Sequence, residues 1–345
     1  MRSALTILLL FMLSLNQAMA KERIVNVFAW TSEIPEYIVR LFEEETGINV
    51  NFSTYENNES MYAKLRASQK SVYDVVMPSS YFVDRMHKQN MLEKLDKSKL
   101  PNWKNLNSTF LNPVYDPKSE YSVPYIWGIT GIFYNAKYYK TGSIKKWSDL
   151  WDKRFDNQLM LLDDMREVFT MALLSLGYSA NETNPAHIKE AFERLILLSP
   201  NIKVFSTETV VSILIDEDAT AGMSWNGDNY RAFFENSDIQ FVFPKEGFVI
   251  WVDTFAIPKN APHPNEAYEF INFMMRPDIA KEIALYTRFP IANEAGQKLL
   301  PKEIRDNPVI YPSKKVMKQG QFQIDLGEET LSIYEKYWEE LKMRG

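Results

Sequence analysis

The side chains with the most chemical potential lie where extended runs of the chain end. The run Ile24 to Trp30 gives way to Thr31-Ser32-Glu33, and Val72 to Met77 gives way to Pro78-Ser79-Ser80-Tyr81. Leu161-Leu162 leads into Asp163-Asp164-Met165-Arg166-Glu167, and a strand ending at Ser224 leads into Trp225-Asn226-Gly227. Trp251 and Asp253 stand two apart on a further strand and so share one face. Carboxylates accept hydrogen bonds from ammonium donors, while indole and phenol faces attract a desolvated cation and pack against methylenes. That combination suits a flexible, multiply charged alkylamine. A sugar would use the rings too, but would not call for so many acids.

Each of these groups also has a purely structural reading. Ser79-Ser80-Tyr81 has the composition of a helix cap, and Asp164-x-x-Glu167 the spacing of a capping-box variant. The two roles are compatible, since a helix N-terminus favours ionised acids. Taken singly, Trp225 and Trp251 read equally as core. Their shared position at strand ends carries the argument, because ligands of open α/β sheets sit beyond the carboxyl ends of the strands.

Catalytic patterns are weak. The histidines, His87, His187 and His263, lack metal-ligand spacing, and no nucleophile elbow, phosphate loop or dinucleotide fingerprint occurs. Asp163, Asp164, Glu167 and Asp253 could supply a glycosidase acid pair, and sequence alone does not give their separation. Without cysteine there is no thiolate metal site, thiol chemistry or disulfide framework. The expectation is a binding protein rather than an enzyme, with no cofactor and no metal.

The elements that must position these groups alternate. Ile24–Trp30, Ile48–Tyr55 and Val72–Met77 read as strands, separated by a helix that Pro35 opens and Gly47 ends and by a second at 59–67. This β-α-β-α-β order points to a parallel sheet covered by helices. A helix at 81–91 follows, then irregular structure over 92–122 and a strand at 125–134. Helices are expected at 165–176, 187–198, 210–216, 265–275, 278–286 and 327–342, with strands at 218–224, 239–243 and 248–257. The absence of a Pro/Gly/Ser-type linker implies that the chain passes between two lobes more than once.

The first twenty residues have the form of a signal peptide: Arg2, an apolar core from Ala4 to Leu15, and Ala18-Met19-Ala20 before the charged Lys21-Glu22-Arg23. At 345 residues the chain exceeds the size of a single core, so two lobes are the default. A net charge of −6 disfavours nucleic acid and suits a cation.

Together, Trp30-Thr31, Tyr73 to Tyr81, Tyr121 to Gly128, Asp163 to Phe169, Trp225-Asn226-Gly227, Pro244 to Gly247 and Trp251-Val252-Asp253 resemble the spermidine/putrescine-binding periplasmic proteins, solute receptors of polyamine ABC importers. The resemblance implies a type II-like periplasmic binding fold, two α/β lobes joined by strands crossing near 131–135 and 246–251, with a ligand cleft between. It implies residues 1–20 as leader, 21–130 with 251–300 as one lobe, and 131–250 with 301–345 as the other. It also implies a periplasmic monomer that hands a polyamine, spermidine favoured over putrescine, to a membrane permease; a sensory receptor or a receptor for another organic cation is the alternative. Carried over by resemblance, the ligand contacts are Trp30, Thr31, Ser79, Tyr81, Asp164, Glu167, Trp225, Trp251, Asp253 and Gln323, with Arg166 pairing one of the acids. Glu33 and Phe289 stand where the family has tyrosines and belong to the same site.

Overall fold

The protein is described by a computed structural model covering residues 22–67 and 70–343. The expected leader, residues 1–20, lies outside the described residues.

The chain starts with β1 (Ile24–Trp30), α1 (Glu36–Thr46), β2 (Asn49–Tyr55), α2 (Asn58–Arg66), β3 (Val75–Val76) and α3 (Ser80–Lys88). The three strands form a parallel sheet in the order β2-β1-β3. Pro35 precedes the first turn of α1, which buries Ile38 and Phe42 and stops where the Gly47 N–H meets the Glu43 carbonyl. Each such buried side chain contributes about 1.5–3 kcal/mol relative to an exposed one. β3 keeps only two residues of the expected run.

Three short 3₁₀ turns occupy 97–110, where irregular structure is expected. There follow β4 (Val123–Asn135), β5 (Leu159–Leu161), α4 (Met165–Ser175), α5 (Pro185–Leu198), β6 (Ile202–Phe205), α6 (Val210–Ile215), β7 (Ala221–Trp225), α7 (Asn226–Glu235), β8 (Ile239–Val242) and β9 (Phe248–Phe255). The chain closes through α8 (Pro264–Met274), α9 (Pro277–Thr287), three single-turn helices between 294 and 317, β10 (Gly320–Gln321) and α10 (Glu328–Lys342). Sequence reading misses β6 and α7. The Asn226-Gly227-Asp228-Asn229 opening of α7 has turn composition and low helix propensity, yet Tyr230 and Ala232 behind it are buried and hold the helix in place.

β4 joins the halves. Its first part, Val123 to Ile129, pairs antiparallel with β9; from Thr130 it pairs with β7, and from Ile132 with β8. The switch of partner between Ile129 and Thr130 marks the crossing, just before the 131–135 stretch expected. β9 is the second crossing, since it also pairs with β10 at Phe248 and Val249. Every residue of β4 is buried, as a strand covered on both faces requires.

One apolar cluster gathers β1, α1, α8 and α9, a second gathers β5, α4, α5 and α10, and a third fills the junction around Trp127, Ile250 and Val252. The division differs from the expected one over 301–326. Ile304 and Ile310 lie in the first cluster, and Val316, Phe322 and Ile324 lean on the junction. Tyr334 and Leu341 of α10 do sit in the second cluster. The 302–305 turn carries Ile304 into the first cluster, the 314–317 turn leans Val316 and Met317 on the junction, and the terminal helix packs on the second cluster.

Candidate functional site

The ends of β1, β3, β5 and β7 converge where the halves meet, and two acidic poles stand there. At the first pole Asp253, 5% exposed, receives a hydrogen bond from the Ser79 hydroxyl at 2.5 Å. Ser79 holds the N-cap position of α3 but its side chain makes no capping bond. Asn58 fixes it instead, accepting from the Ser79 N–H and donating to its hydroxyl, both at 3.0 Å. The hydroxyl is thereby committed to the carboxylate rather than to the helix. Glu33, in the turn after β1, lies near enough to Asp253 for each carboxyl to feel the other. Burial pushes Asp253 up to about 7 against the opposing effect of the Ser79 hydroxyl. Burial first, and the neighbouring Asp253 charge second, hold Glu33 well above the ordinary glutamate range.

The second pole is built on the start of α4. Asp164 is the N-cap, and its Oδ1 accepts from the Glu167 N–H at 3.0 Å. Only this half of the capping box forms. The Glu167 side chain does not reach back; it is 6% exposed and its Oε2 has no partner. Burial and then the Asp164 charge push Glu167 up to about 8, with the Arg166 charge opposing. Asp164 is raised as well, by burial. A helix N-terminus is thus insufficient to keep these acids at ordinary values, contrary to the sequence expectation: desolvation outweighs the dipole and the capping bond. Across from them stand Glu59, an exposed residue at the start of α2, and Tyr81, whose ring lies under the Arg166 guanidinium at 5.7 Å.

Aromatic rings line the space between. Trp225 meets Trp251 edge-on at 6.2 Å, and Trp251 meets Phe289 at 5.1 Å. Trp30 leans on Tyr55 at 4.8 Å. Two glycines make room for these rings. A Cβ on Gly128, the residue facing Trp251 across β4 and β9, would lie 2.1 Å from the indole. A Cβ on Gly227 would lie 2.2 Å from the Phe289 ring, which reaches α7 from the end of α9.

Six buried polar atoms around this space have no hydrogen-bond partner: Trp30 Nε1, Glu33 Oε2, Thr130 Oγ1, Glu167 Oε2, Ser224 Oγ and Trp251 Nε1. Buried polar groups are normally satisfied, so their concentration here marks a place built to be completed by something else. Among the described residues no ion pair engages Glu33, Asp164, Glu167 or Asp253.

Not every expected residue faces this space. Thr31 is exposed; its hydroxyl donates to the Tyr55 carbonyl, and it borders a shallow hollow with Thr54, Glu56 and Lys64. Arg166 pairs with neither acid. It donates to the carbonyls of Ile324 and Ala180 and to Asn181, and so clamps the segment after β10. Gln323 is buried on that segment, with its amide on Thr170 of α4. Thr130, Ser224, Tyr55, Tyr125 and Glu59 escaped sequence reading. The one aliphatic hydroxyl inside the apolar run of β4 was the signal available for Thr130.

The model of the family described as bacterial extracellular solute-binding protein matches residues 38–310. A spermidine/putrescine-binding periplasmic protein of Salmonella typhimurium is 43% identical over 315 residues, covering 91% of this chain and 90% of the relative. A putrescine-binding periplasmic protein of Pseudomonas aeruginosa is 35% identical, covering 94% and 93%. A solved structure from Listeria monocytogenes, described as a spermidine/putrescine ABC transporter, superposes with a TM-score of 0.89 at 34% identity, covering 94% of this chain and all of that one. The two crossing strands, the acid poles at strand ends and these likenesses agree: the chain belongs to the bacterial extracellular solute-binding protein family.

Proposed function

We propose that this protein is a periplasmic polyamine receptor that captures its ligand between the two lobes and delivers it to the permease of an ABC importer. The observation that carries the reading is the pair of buried acid poles without counter-cations, joined by a wall of indole and phenyl rings. Ammonium groups at fixed spacing would neutralise the poles, and the methylenes between them would lie on Trp225, Trp251 and Phe289. Selectivity follows because a buried charge is costly unless paired, so amines whose charges do not register with the poles are rejected. The ligand contacts in this reading are Trp30, Glu33, Ser79, Tyr81, Asp164, Glu167, Trp225, Trp251, Asp253, Phe289 and Gln323. Acids at both poles favour spermidine over putrescine, since three ammonium groups use more of them. Closure of the lobes about β4, β9 and the segment after β10 would complete the site. Among the described residues no helix is long and apolar enough to cross a membrane.

Calorimetry on protein refolded to strip carried ligand, titrated with putrescine, cadaverine, spermidine and spermine, tests this. One site per chain is expected, with spermidine tightest. Asp253→Asn is expected to lose about 2–5 kcal/mol of binding, the loss seen when one partner of a buried pair is removed. Absence of heat with all four amines from folded protein would refute the reading.

A further inference from the structure

Tyr81, Asp84, Arg85 and Lys88 stand at the spacing i, i+3, i+4, i+7 and so form one stripe along α3. The first of them lies under Arg166 of α4. The other three meet the segment that follows β10. Asp325 receives Arg85 Nε at 3.2 Å and stands 3.9 Å from Lys88 Nζ. Asp84 accepts from Lys88 Nζ at 2.9 Å and from the Asp325 N–H at 3.1 Å. The Arg85 and Asp325 side chains are only 16% and 12% exposed, and the guanidinium is held over the Tyr62 and Phe82 rings, each at 5.4 Å. None of Asp84, Arg85, Lys88 and Asp325 is among the ligand contacts proposed above.

The same segment is fastened to the other half by different means. Arg166 donates to the Ile324 carbonyl, and Asn181 donates to the Phe322 carbonyl while accepting from the Ile324 N–H. The Gln323 amide reaches Thr170 of α4, and Leu326 packs against the cluster of β5 and α4. Phe322 and Ile324 rest on the junction core, about which the lobes turn. Residues 322–326 therefore travel with α4 as a strap, and beyond the junction they meet α3 of the opposite lobe through charges. Two acids and two bases sum to zero, and each is well hydrated when the faces part. An apolar contact in the same place would resist opening in proportion to the area it exposed. Charges give a contact that closes and reopens.

We propose that Asp84, Arg85, Lys88 and Asp325 form an electrostatic latch between α3 and this strap, which holds the lobes closed from outside the ligand site. The latch sets how slowly ligand leaves and how much of the ligand-free protein stays closed. The inference rests on the lobe closure of the reading above, and does not depend on which ligand the cleft takes. A contact present only in the closed form shifts the equilibrium toward it, and apparent affinity rises with the closed fraction.

The test compares wild type, Asp325→Asn, Arg85→Gln and the double variant in two measurements. Stopped-flow tryptophan fluorescence gives the association and dissociation rates of spermidine, and small-angle scattering gives the radius of gyration of the ligand-free proteins. Each single change is expected to speed dissociation about fivefold while leaving association within about twofold, and to enlarge the ligand-free particle. The double variant is expected to match the singles, because one contact is broken only once. Added salt should accelerate dissociation from wild type more steeply than from D325N, as screening requires. Additive effects in the double variant, unchanged dissociation in both singles, or ligand-free scattering identical in all four proteins would overturn the latch and leave the polyamine reading intact. Failure of the wild type to bind spermidine would count against the polyamine reading, and the ligand-free scattering would still decide the latch. If R85Q does not melt cooperatively, Lys88→Gln takes its place in the same cycle.

Discussion

Lowering the pH should weaken ligand binding well before the fold is challenged. Glu167 is raised to about 8 in the free protein by burial and by Asp164, yet an ammonium beside it needs the carboxylate. Roughly 1% of such a group is ionised at pH 6 and about half at pH 8, so Glu167 alone should raise affinity roughly fiftyfold over that interval. Asp253, also raised by burial, should steepen the same dependence. Aliphatic amines of ordinary pKa, about 10, stay charged throughout. The sign for stability is opposite. A carboxyl whose folded pKa exceeds its unfolded value of about 4 binds more protons folded than unfolded, so each such group lowers ligand-free stability by about one kcal/mol per pH unit across that window. Ligand-free protein should therefore melt lower at pH 8 than at pH 5.5, while the rise in melting temperature caused by spermidine should be larger at pH 8. Calorimetry at pH 6, 7 and 8 and fixed ionic strength, with Glu167→Gln alongside, reads both effects. An affinity independent of pH over this range, or a slope that E167Q retains in full, would refute the reasoning.

Two further outcomes follow from geometry. Gly227→Ala places a methyl group where the Phe289 ring now lies, 2.2 Å away; it should weaken spermidine about tenfold or more, within the usual cost of overpacking, and Phe289→Ala should restore part of the loss. Unchanged affinity in G227A would mean that the lobes do not meet there when ligand is bound. Thr31→Val should leave affinity within about twofold, because a hydroxyl committed to the Tyr55 carbonyl contributes as an ordinary local hydrogen bond. A large loss would place Thr31 in the site after all.

Much of the architecture was legible because alternation and punctuation agree with packing. Pro35, Gly47 and the β-branched runs on either side of them locate β1, α1 and β2 to within a residue or two. What stayed hidden was decided at long range. α7 opens on residues that favour turns, and its burial depends on β4, far away in sequence, as well as on the adjoining β8. The segment 301–317 offers single turns of helix with no periodicity long enough to read, so its place is set by the apolar surfaces of the first cluster and the junction that receive it.

The candidate site shows the same limit from another side. Ser79, Asp164 and Glu167 each have two compatible readings in sequence, local cap or ligand contact, and the structure shows which of them make the cap. Asp164 caps. Ser79 occupies the cap position but spends its hydroxyl on Asp253, 174 residues away. Glu167 has the spacing of a capping box and leaves it unmade. A capping bond is worth about 0.5–2 kcal/mol, and forgoing it while burying the acid costs more. Such a loss persists where the group has another partner for part of its working life. Glu33 makes the point most sharply: nothing local explains a glutamate turned inward against a buried aspartate, and a cation supplied from outside explains both.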